Sequence, residues 1–207
     1  MKSYEVTAIA ASAVIVAGLF WYVVLVSTRR IKTVVTSWIV SAAALLLSLV
    51  TYLSSPNANW LGGSLNVASA FAVTSTLVAV LIVSWRDKQK IEFNAFQKKC
   101  LGVSIVITVL WIVIVWGAHG TGVIPNLLTQ LLLVISYGML IMKSWKAKKN
   151  TESLVTWWCV FISSVIGLYT AWEKTDWLAL VYAMRSTIMC GVLVYTLHRL
   201  EWKGRTP

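Results

Sequence analysis

The sequence predicts an all-α integral membrane protein whose chain crosses the bilayer seven times. Its apolar segments lie at 7–26, 34–55, 61–84, 101–117, 123–142, 154–171 and 177–197. Each is close to the roughly 20 residues that a helix needs to cross the hydrocarbon core. Basic segments follow the first, third, fifth and seventh of these spans. Together the two patterns leave almost no length for a soluble domain.

The positive charges predict how the helices are oriented. All but three of the 18 Lys and Arg residues lie in four segments, Arg29 to Lys32, Arg86 to Lys99, Lys143 to Lys149 and Arg199 to Arg205. Because Lys and Arg collect on the cytoplasmic side, the N-terminus is predicted outside and the C-terminus inside. With 58% hydrophobic residues, a net charge of +11 is explained by the cytoplasmic leaflet of the cell membrane. We therefore expect the lipid bilayer as a partner and no nucleic acid.

The two ends of the chain resemble each other. A shift of 117 residues superposes Tyr52 on Tyr169, Trp60 on Trp177, Trp85 on Trp202, Lys32 on Lys149 and Asn59 on Asp176. Because four spans separate equivalent helices, both halves enter the membrane in the same direction, which predicts a 3+1+3 parallel repeat. It consists of a first triple-helix bundle at 1–99, an inversion linker helix at 100–122 and a second bundle at 123–207. Alternatively, membrane interfaces enrich Trp and Tyr, and some matches arise by chance.

Tryptophan residues near the span ends are expected to anchor the protein at the two membrane interfaces. On the cytoplasmic side these are Trp38, Trp85, Trp145 and Trp202, and on the outer side Trp60, Trp116, Trp172 and Trp177.

The ionisable residues argue against several functions. All seven Asp and Glu residues lie outside the predicted spans, and no Lys lies inside one. A proton relay, a cation channel with an acidic ring and a retinal Schiff base are therefore disfavoured. The sequence lacks paired catalytic carboxylates and a spaced His and Cys cluster; His119 and His198 are expected in solvent, and the three cysteines as inert thiols. We expect no enzyme, no metal and no cofactor.

Arg185 is the exception, because it lies inside the seventh span. It follows Trp177 by eight residues, which places it about 12 Å along the helix. Burial of a lone guanidinium costs at least about 2.5–3.5 kcal/mol, and no acidic residue in the apolar segments can neutralise it. The functional interpretation is that Arg185 faces a water-filled cavity and binds a polar or anionic solute. Alternatively, it extends outward or donates to backbone carbonyls and to the amide of Asn66.

Other polar or aromatic residues are expected near Arg185. Asn66 lies at a similar depth in the third span, and we expect it opposite Arg185. Tyr182 precedes Arg185 by three residues and shares its helix face. Together with Gln130 and Trp158, these residues form the predicted substrate site. The structural alternative for an Asn in a span is a hydrogen bond between helices, worth about 0.6 kcal/mol.

The second half of the chain resembles a known pattern. The run from Lys148 to Ser153 precedes an aromatic-rich span ending at Tyr169; Asp176 follows, and then a span that ends at Tyr195 to Arg199. This resembles the triple-helix bundle of the SWEET and PQ-loop sugar and solute transporters, and Tyr52, Asn59 and Asn66 repeat it in the first half. That family joins two such bundles by an inversion helix and has an outer N-terminus, so the resemblance covers most of the chain in layout.

The resemblance implies a position for the substrate site. In that family an Asn in the third helix of each bundle lines the central site. Asn66 matches the first of these positions, whereas the second falls on Ala183, with Arg185 two places beyond. The prolines that the family has near the cytoplasmic ends of the first two helices of each bundle are missing here.

Two hypotheses follow. The first is a facilitative transporter of a small polar solute or sugar, in which one bundle rocks against the other around a fixed site. The second is a non-transporting seven-helix sensor or assembly partner, in which Arg185 pairs with a carboxylate of another chain. A polar cavity that reaches Asn66 and Arg185 favours the first, and an Arg185 side chain that faces lipid favours the second. The sequence leaves open the identity of the solute and the oligomeric state, a homo-oligomer included.

Overall fold

The structure, a computed structural model, describes residues 3–31, 33–54, 64–88, 93–117, 123–148 and 150–205. Over these residues the chain forms helices and connecting turns, with no strand. The helices are α1 (Ser3–Ser27), α2 (Val35–Leu53), α3 (Ser64–Arg86), α4 (Ala95–Ile112), α5 (Val123–Lys146), α6 (Leu154–Glu173) and α7 (Trp177–Arg205). A short π-helical turn, Val113–Gly117, extends α4. All seven are long and apolar enough to cross a membrane, which confirms the predicted number of spans.

Polar side chains set where several helices begin. The Asn94 side chain accepts from the Gln97 N–H (2.8 Å), and the Gln97 side chain accepts from the Asn94 N–H (3.0 Å), so α4 begins before the apolar run. Ser153 caps α6 by accepting from the Thr156 N–H (3.2 Å), and the Asp176 carboxylate caps α7 by accepting from the Ala179 N–H. Of the predicted repeat pairs and the histidines, Lys32, Asn59, Trp60, His119 and Lys149 lie outside the described residues.

Six helices form a closed ring. In one half α3 packs between α1 and α2, and in the other half α7 packs between α5 and α6. The halves meet along two seams, where α1 contacts α6 and α2 contacts α5. Helix α4 lies outside the ring, mainly against α5, and its Trp111 indole donates to Thr51 Oγ1 of α2 (2.9 Å). The centre of the molecule is therefore lined by both halves.

Hydroxyl groups hold the α1–α6 seam. Three residues of α6 at seven-residue spacing bond to α1: Thr156 Oγ1 donates to the Gly18 carbonyl (3.1 Å), Ser163 Oγ to the Ala11 carbonyl (2.7 Å) and Thr170 Oγ1 to Thr7 Oγ1 (2.9 Å). In a bilayer, helices gain no hydrophobic energy from association, so close packing and such hydrogen bonds hold them together.

The α2–α5 seam uses the same chemistry. Ser37 Oγ donates to the Ser136 carbonyl (2.9 Å), and Ser136 Oγ lies 2.8 Å from the Ser37 carbonyl. Ser41 Oγ also contacts Ser136 Oγ. Along both seams, therefore, small hydroxyl residues bring the two helices close together.

Most of the expected tryptophan anchors are exposed, as an interfacial residue must be. They are Trp85, Trp116, Trp145, Trp172, Trp177 and Trp202. The prediction for Trp38 was wrong, because its side chain is only 3% exposed. Its indole packs against Tyr22 (5.0 Å between ring centroids) and donates to Thr33 Oγ1 (2.6 Å). Trp38 is thus part of the core at this end of the ring.

Candidate functional site

Two small cavities lie between the halves of the ring. The first, of about 20 Å³, lies toward the end where α2 stops and α3 starts, and we call it the outer cavity. The second, of about 30 Å³, lies toward the opposite end, and we call it the inner cavity. The names follow the predicted membrane sides. Among the described residues Tyr182 alone lines both cavities. Each cavity has room for one or two waters or for a single functional group of a solute.

Arg185 lines the inner cavity, and its partners among the described residues are neutral. Its Nε donates to Gln130 Oε1 (3.0 Å), and Gln130 Nε2 donates in turn to Asn126 Oδ1 (3.1 Å). The guanidinium carbon lies 5.0 Å from the centre of the Tyr182 ring and 5.7 Å from that of Tyr137, both within cation–π range. The ion pairs of the described residues are Arg29–Asp87, Arg86–Asp87 and Lys143–Glu152, and none of them includes Arg185.

Asn66 lines the outer cavity. Its side chain is buried, and Nδ2 donates to Ser48 Oγ (3.2 Å). In the part of the chain that the structure describes, its Oδ1 has no hydrogen-bond partner although it is buried. Ala183, the residue that corresponds to Asn66 in the second half, lines the same cavity. Asn66 does not contact Arg185 directly. Arg185 contacts Gln130 and Tyr182, whereas Asn66 lines the neighbouring outer cavity.

Trp158 does not reach the site, which corrects its predicted position. Its side chain is 39% exposed on the outside of the ring, and its indole donates to His198 Nε2 (3.0 Å). The neighbouring Trp157 lines the inner cavity instead. Successive residues of a helix point about 100° apart, so a shift of one residue moves a side chain from the interior to the lipid face.

An aromatic cluster closes the inner cavity at the end away from the outer cavity. Tyr22, Trp38 and Trp157 pack with ring centroids 5.0–6.3 Å apart. The Tyr22 hydroxyl donates to Glu152 Oε2 (2.7 Å), and Glu152 Oε1 accepts from Lys143 Nζ (3.1 Å). We call these residues the inner gate. It joins α1 of the first half to the α5–α6 connection of the second.

Glu152 was not among the predicted site residues. It lies between α5 and α6, outside the apolar run, but its side chain is fully buried. Asn150 Oδ1 accepts from the Glu152 N–H (2.9 Å) and fixes the turn that directs the carboxylate inward. Burial raises the pKa of Glu152, although the Lys143 ammonium and the Tyr22 hydroxyl favour the ionised form. An acidic residue in an otherwise basic segment, two positions before a helix, was the signal available in the sequence.

The opposite end is closed by a contact of the same kind. The Tyr52 hydroxyl at the end of α2 donates to Asp176 Oδ2 (2.9 Å), and Asp176 also caps α7. We call this contact the outer gate. At each end of the ring, therefore, a tyrosine of the first half donates to a carboxylate of the second half. The two cavities lie between these two contacts.

The enclosed residues can donate and accept hydrogen bonds and can stabilise negative charge. Among the described residues, no group of three or more His, Cys, Asp or Glu side chains could hold a metal ion. No protein-family model, no curated protein and no solved structure matches this chain.

Proposed function

We propose that this protein is a facilitative transporter of a small polar solute, which works by alternating access in the cell membrane. The observation that carries the proposal is a site of two small cavities between the two halves of the ring, where a few polar groups stand among mostly apolar side chains. Asn66, Gln130, Tyr182 and Arg185 line or support it, and one tyrosine–carboxylate contact closes it at each end. Polar and charged groups at this depth are costly and usually mark a solute pathway.

The helix contacts support the proposed 3+1+3 parallel repeat. If α1, α2 and α3 are exchanged with α5, α6 and α7, every main contact of the ring maps onto another one. The α1–α3 contact becomes α5–α7, the α2–α3 contact becomes α6–α7, and the two seams exchange places. Two parallel repeats around a pseudo-two-fold axis would have this symmetry. The peripheral α4 fits the role of the linker helix.

The proposed architecture has the layout of the SWEET and PQ-loop transporters, with the N-terminus outside and the C-terminus inside. The bundles would be residues 1–99 and 123–207, joined by the linker at 100–122. Asn66 and Ala183, the two positions at which that family places its site residues, line one cavity. The basic residues that set the orientation lie at the end of the ring that carries the inner gate.

In the proposed cycle the halves rock about the seams while the site stays fixed. Release of the Tyr22–Glu152 bond would open the inner cavity to the cytoplasm, and release of the Tyr52–Asp176 bond would open the outer cavity to the other side. Transport is downhill, because the cycle uses no intramembrane carboxylate as a proton carrier.

The position of Arg185 favours this function over that of a sensor or assembly partner. For Arg185 to pair with a carboxylate of another chain, its side chain would have to reach the lipid-facing surface. Instead the half-buried Arg185 side chain directs its guanidinium to Gln130, Tyr137 and Tyr182.

The test is uptake of labelled glucose, glycerol, lactate and alanine into proteoliposomes. We expect the wild-type protein to take up at least one of these faster than protein-free liposomes do. Arg185→Ala should abolish that uptake while the purified protein stays monodisperse, because the site loses its main hydrogen-bond donor. Lys98→Ala, which removes an exposed cation of α4, is the matched control and should transport normally. No uptake of any of the four by wild type would contradict transport, whereas full uptake by Arg185→Ala would contradict only the role of Arg185 in the site.

A further inference from the structure

Arg185 carries a positive charge that no group in the described chain neutralises. The amide oxygen of Gln130 and the rings of Tyr182 and Tyr137 offset part of its lost hydration. The Arg185 side chain is half-buried, and a charge that is partly withdrawn from water without an opposite charge is costly. The inner cavity beside it has room for a small anionic group. The missing counter-charge is therefore best supplied by the solute.

In the neighbouring outer cavity, the amide oxygen of Asn66 lacks a hydrogen-bond donor among the described residues. Ser48 pairs with one end of its amide, while the other end is buried without a partner among the described residues. An unpaired buried amide oxygen costs free energy until a donor reaches it. The solute is expected to supply this donor as well.

The two cavities are close enough for one short molecule. Ala183 lines the outer cavity and Arg185 the inner one, and two residues of a helix rise by about 3 Å. The Tyr182 ring borders both cavities, so its displacement would join them. A solute of a few carbons could then place one polar group in each.

We propose that the solute is a small hydroxycarboxylate, whose carboxylate binds Arg185 and whose hydroxyl binds Asn66. The proposal rests on the proposed function, since it specifies the ligand of the same site. A hydroxyl is favoured over an ammonium because a hydroxyl donates to the Asn66 amide oxygen without adding a second positive charge near Arg185. The described residues that line the outer cavity include no carboxylate that could neutralise an ammonium. A neutral sugar would leave the charge of Arg185 uncompensated.

Three molecules with the same three-carbon skeleton separate the two requirements. Lactate has both groups, propanoate lacks the hydroxyl, and lactamide lacks the charge. The readout is the melting temperature of the purified full-length protein in detergent, with chloride as the replaced anion at constant sodium concentration. At ten times its dissociation constant, lactate should raise the melting temperature by about 3 °C relative to chloride. Propanoate, lactamide and alanine should each bind at least about tenfold more weakly.

Variants assign each requirement to its residue. Arg185→Gln should remove the preference for lactate over lactamide, and Asn66→Leu should remove the preference for lactate over propanoate while keeping the other preference. Lys98→Gln, an exposed cation on α4, should keep both preferences. If a variant fails to fold, the preferences of the wild-type protein still decide the question.

Equal stabilisation by lactate and propanoate, or by lactate and lactamide, would overturn the inference, as would no stabilisation by lactate beyond that of chloride. Uptake of glucose or glycerol that does not depend on Arg185 would also overturn the hydroxycarboxylate inference, but it would still support transport. Selective lactate binding without uptake of any solute would support the site chemistry and contradict transport. The two proposals can therefore fail separately.

Discussion

Glu152 places a carboxyl group in the buried interior of the protein. Desolvation of a carboxylate favours its protonated form, and here this effect exceeds the attraction of Lys143 and the hydrogen bond from Tyr22. The pKa of Glu152 is therefore raised in the folded protein. Because its carboxylate joins the two halves, its protonation state is expected to change the strength of the Tyr22–Glu152 hydrogen bond.

The pH dependence of stability should reveal the buried carboxylate. A raised pKa means that the folded state binds a proton more tightly than the unfolded state, whose glutamates titrate near about 4.3. The wild-type protein should thus lose stability, relative to Glu152→Gln, as the pH rises from about 4 through the raised pKa. The measurement is the melting temperature of both proteins between pH 4 and about 8. The exposed Glu173→Gln serves as the control. A difference between wild type and Glu152→Gln that stays constant or moves in the opposite direction would contradict the account.

For single residues, the sequence predicted how deep in the membrane each site residue lies, but not which way its side chain faces. Asn66, Gln130, Tyr182 and Arg185 lie inside the ring because polar residues within an apolar run are seldom left to face lipid. Trp158 was misplaced because facing depends on helix rotation, which packing sets and a hydropathy pattern does not. The partner of Arg185 is Gln130 on α5, and not Asn66, because the contact depends on how α5 and α7 pack.

Among the helices, the α1–α6 seam allows the sharpest test of packing. A Cβ atom added at Gly18 would lie 2.5 Å from the Cβ of Cys159, which cannot move away without moving the backbone. We expect Gly18→Ala to destabilise the protein by about 1–3 kcal/mol by forcing α1 away from α6. The matched control is Gly102→Ala in α4, where a new Cβ has nothing within 4 Å. It should be neutral or stabilising by up to about 1 kcal/mol, since Ala favours helix over Gly.

Thermal melts of the purified variants in detergent would measure both effects. Combining Gly18→Ala with Cys159→Gly removes the clashing atom and should recover part of the loss. A Gly18→Ala protein as stable as Gly102→Ala would show that α1 and α6 are not packed as closely as the structure has them.

The number of helices and their order could be predicted from the apolar runs, but their ends could not. Helix α4 begins at Ala95 and not near 101, because the Asn94–Gln97 capping box lies in polar sequence that a hydropathy pattern assigns to a loop. The hydroxyl contacts along the seams also could not be predicted from the sequence, because a Ser or Thr residue in a span can equally well form a hydrogen bond to the backbone of its own helix.

For the whole molecule, the apolar segments predicted the seven helices long enough to cross a membrane, whereas the parallel repeat and the orientation drawn from the shift of 117 residues and the basic segments stay predictions. The closed state of the site could not be predicted, because it depends on contacts between segments far apart in sequence. Tyr22 and Glu152, like Tyr52 and Asp176, are brought together only by the ring. A single sequence also carries no record of the other conformations that an alternating-access cycle requires.

The two gates should act in opposition, and conservative substitutions can test this. Tyr22→Phe removes the hydroxyl that joins α1 to Glu152, and a lost hydrogen bond to a charged group is worth about 1.5–3 kcal/mol. This should favour the inward-open state by about 10- to 150-fold, whereas Tyr52→Phe should favour the outward-open state. A cysteine reporter at Ser186, in the inner cavity, can be labelled with a membrane-impermeant maleimide in oriented vesicles after the native cysteines are replaced.

With that reporter, labelling from the cytoplasmic side should become faster in Tyr22→Phe and slower in Tyr52→Phe than in the parent protein. The opposition follows from geometry, because the same two halves cannot separate at both ends while the α1–α6 and α2–α5 seams hold. If both substitutions accelerated labelling, the halves would be loosening together, as in a general loss of packing. If neither changed it, the tyrosine–carboxylate contacts would not control access to the site, and the rocking mechanism would lose its gates.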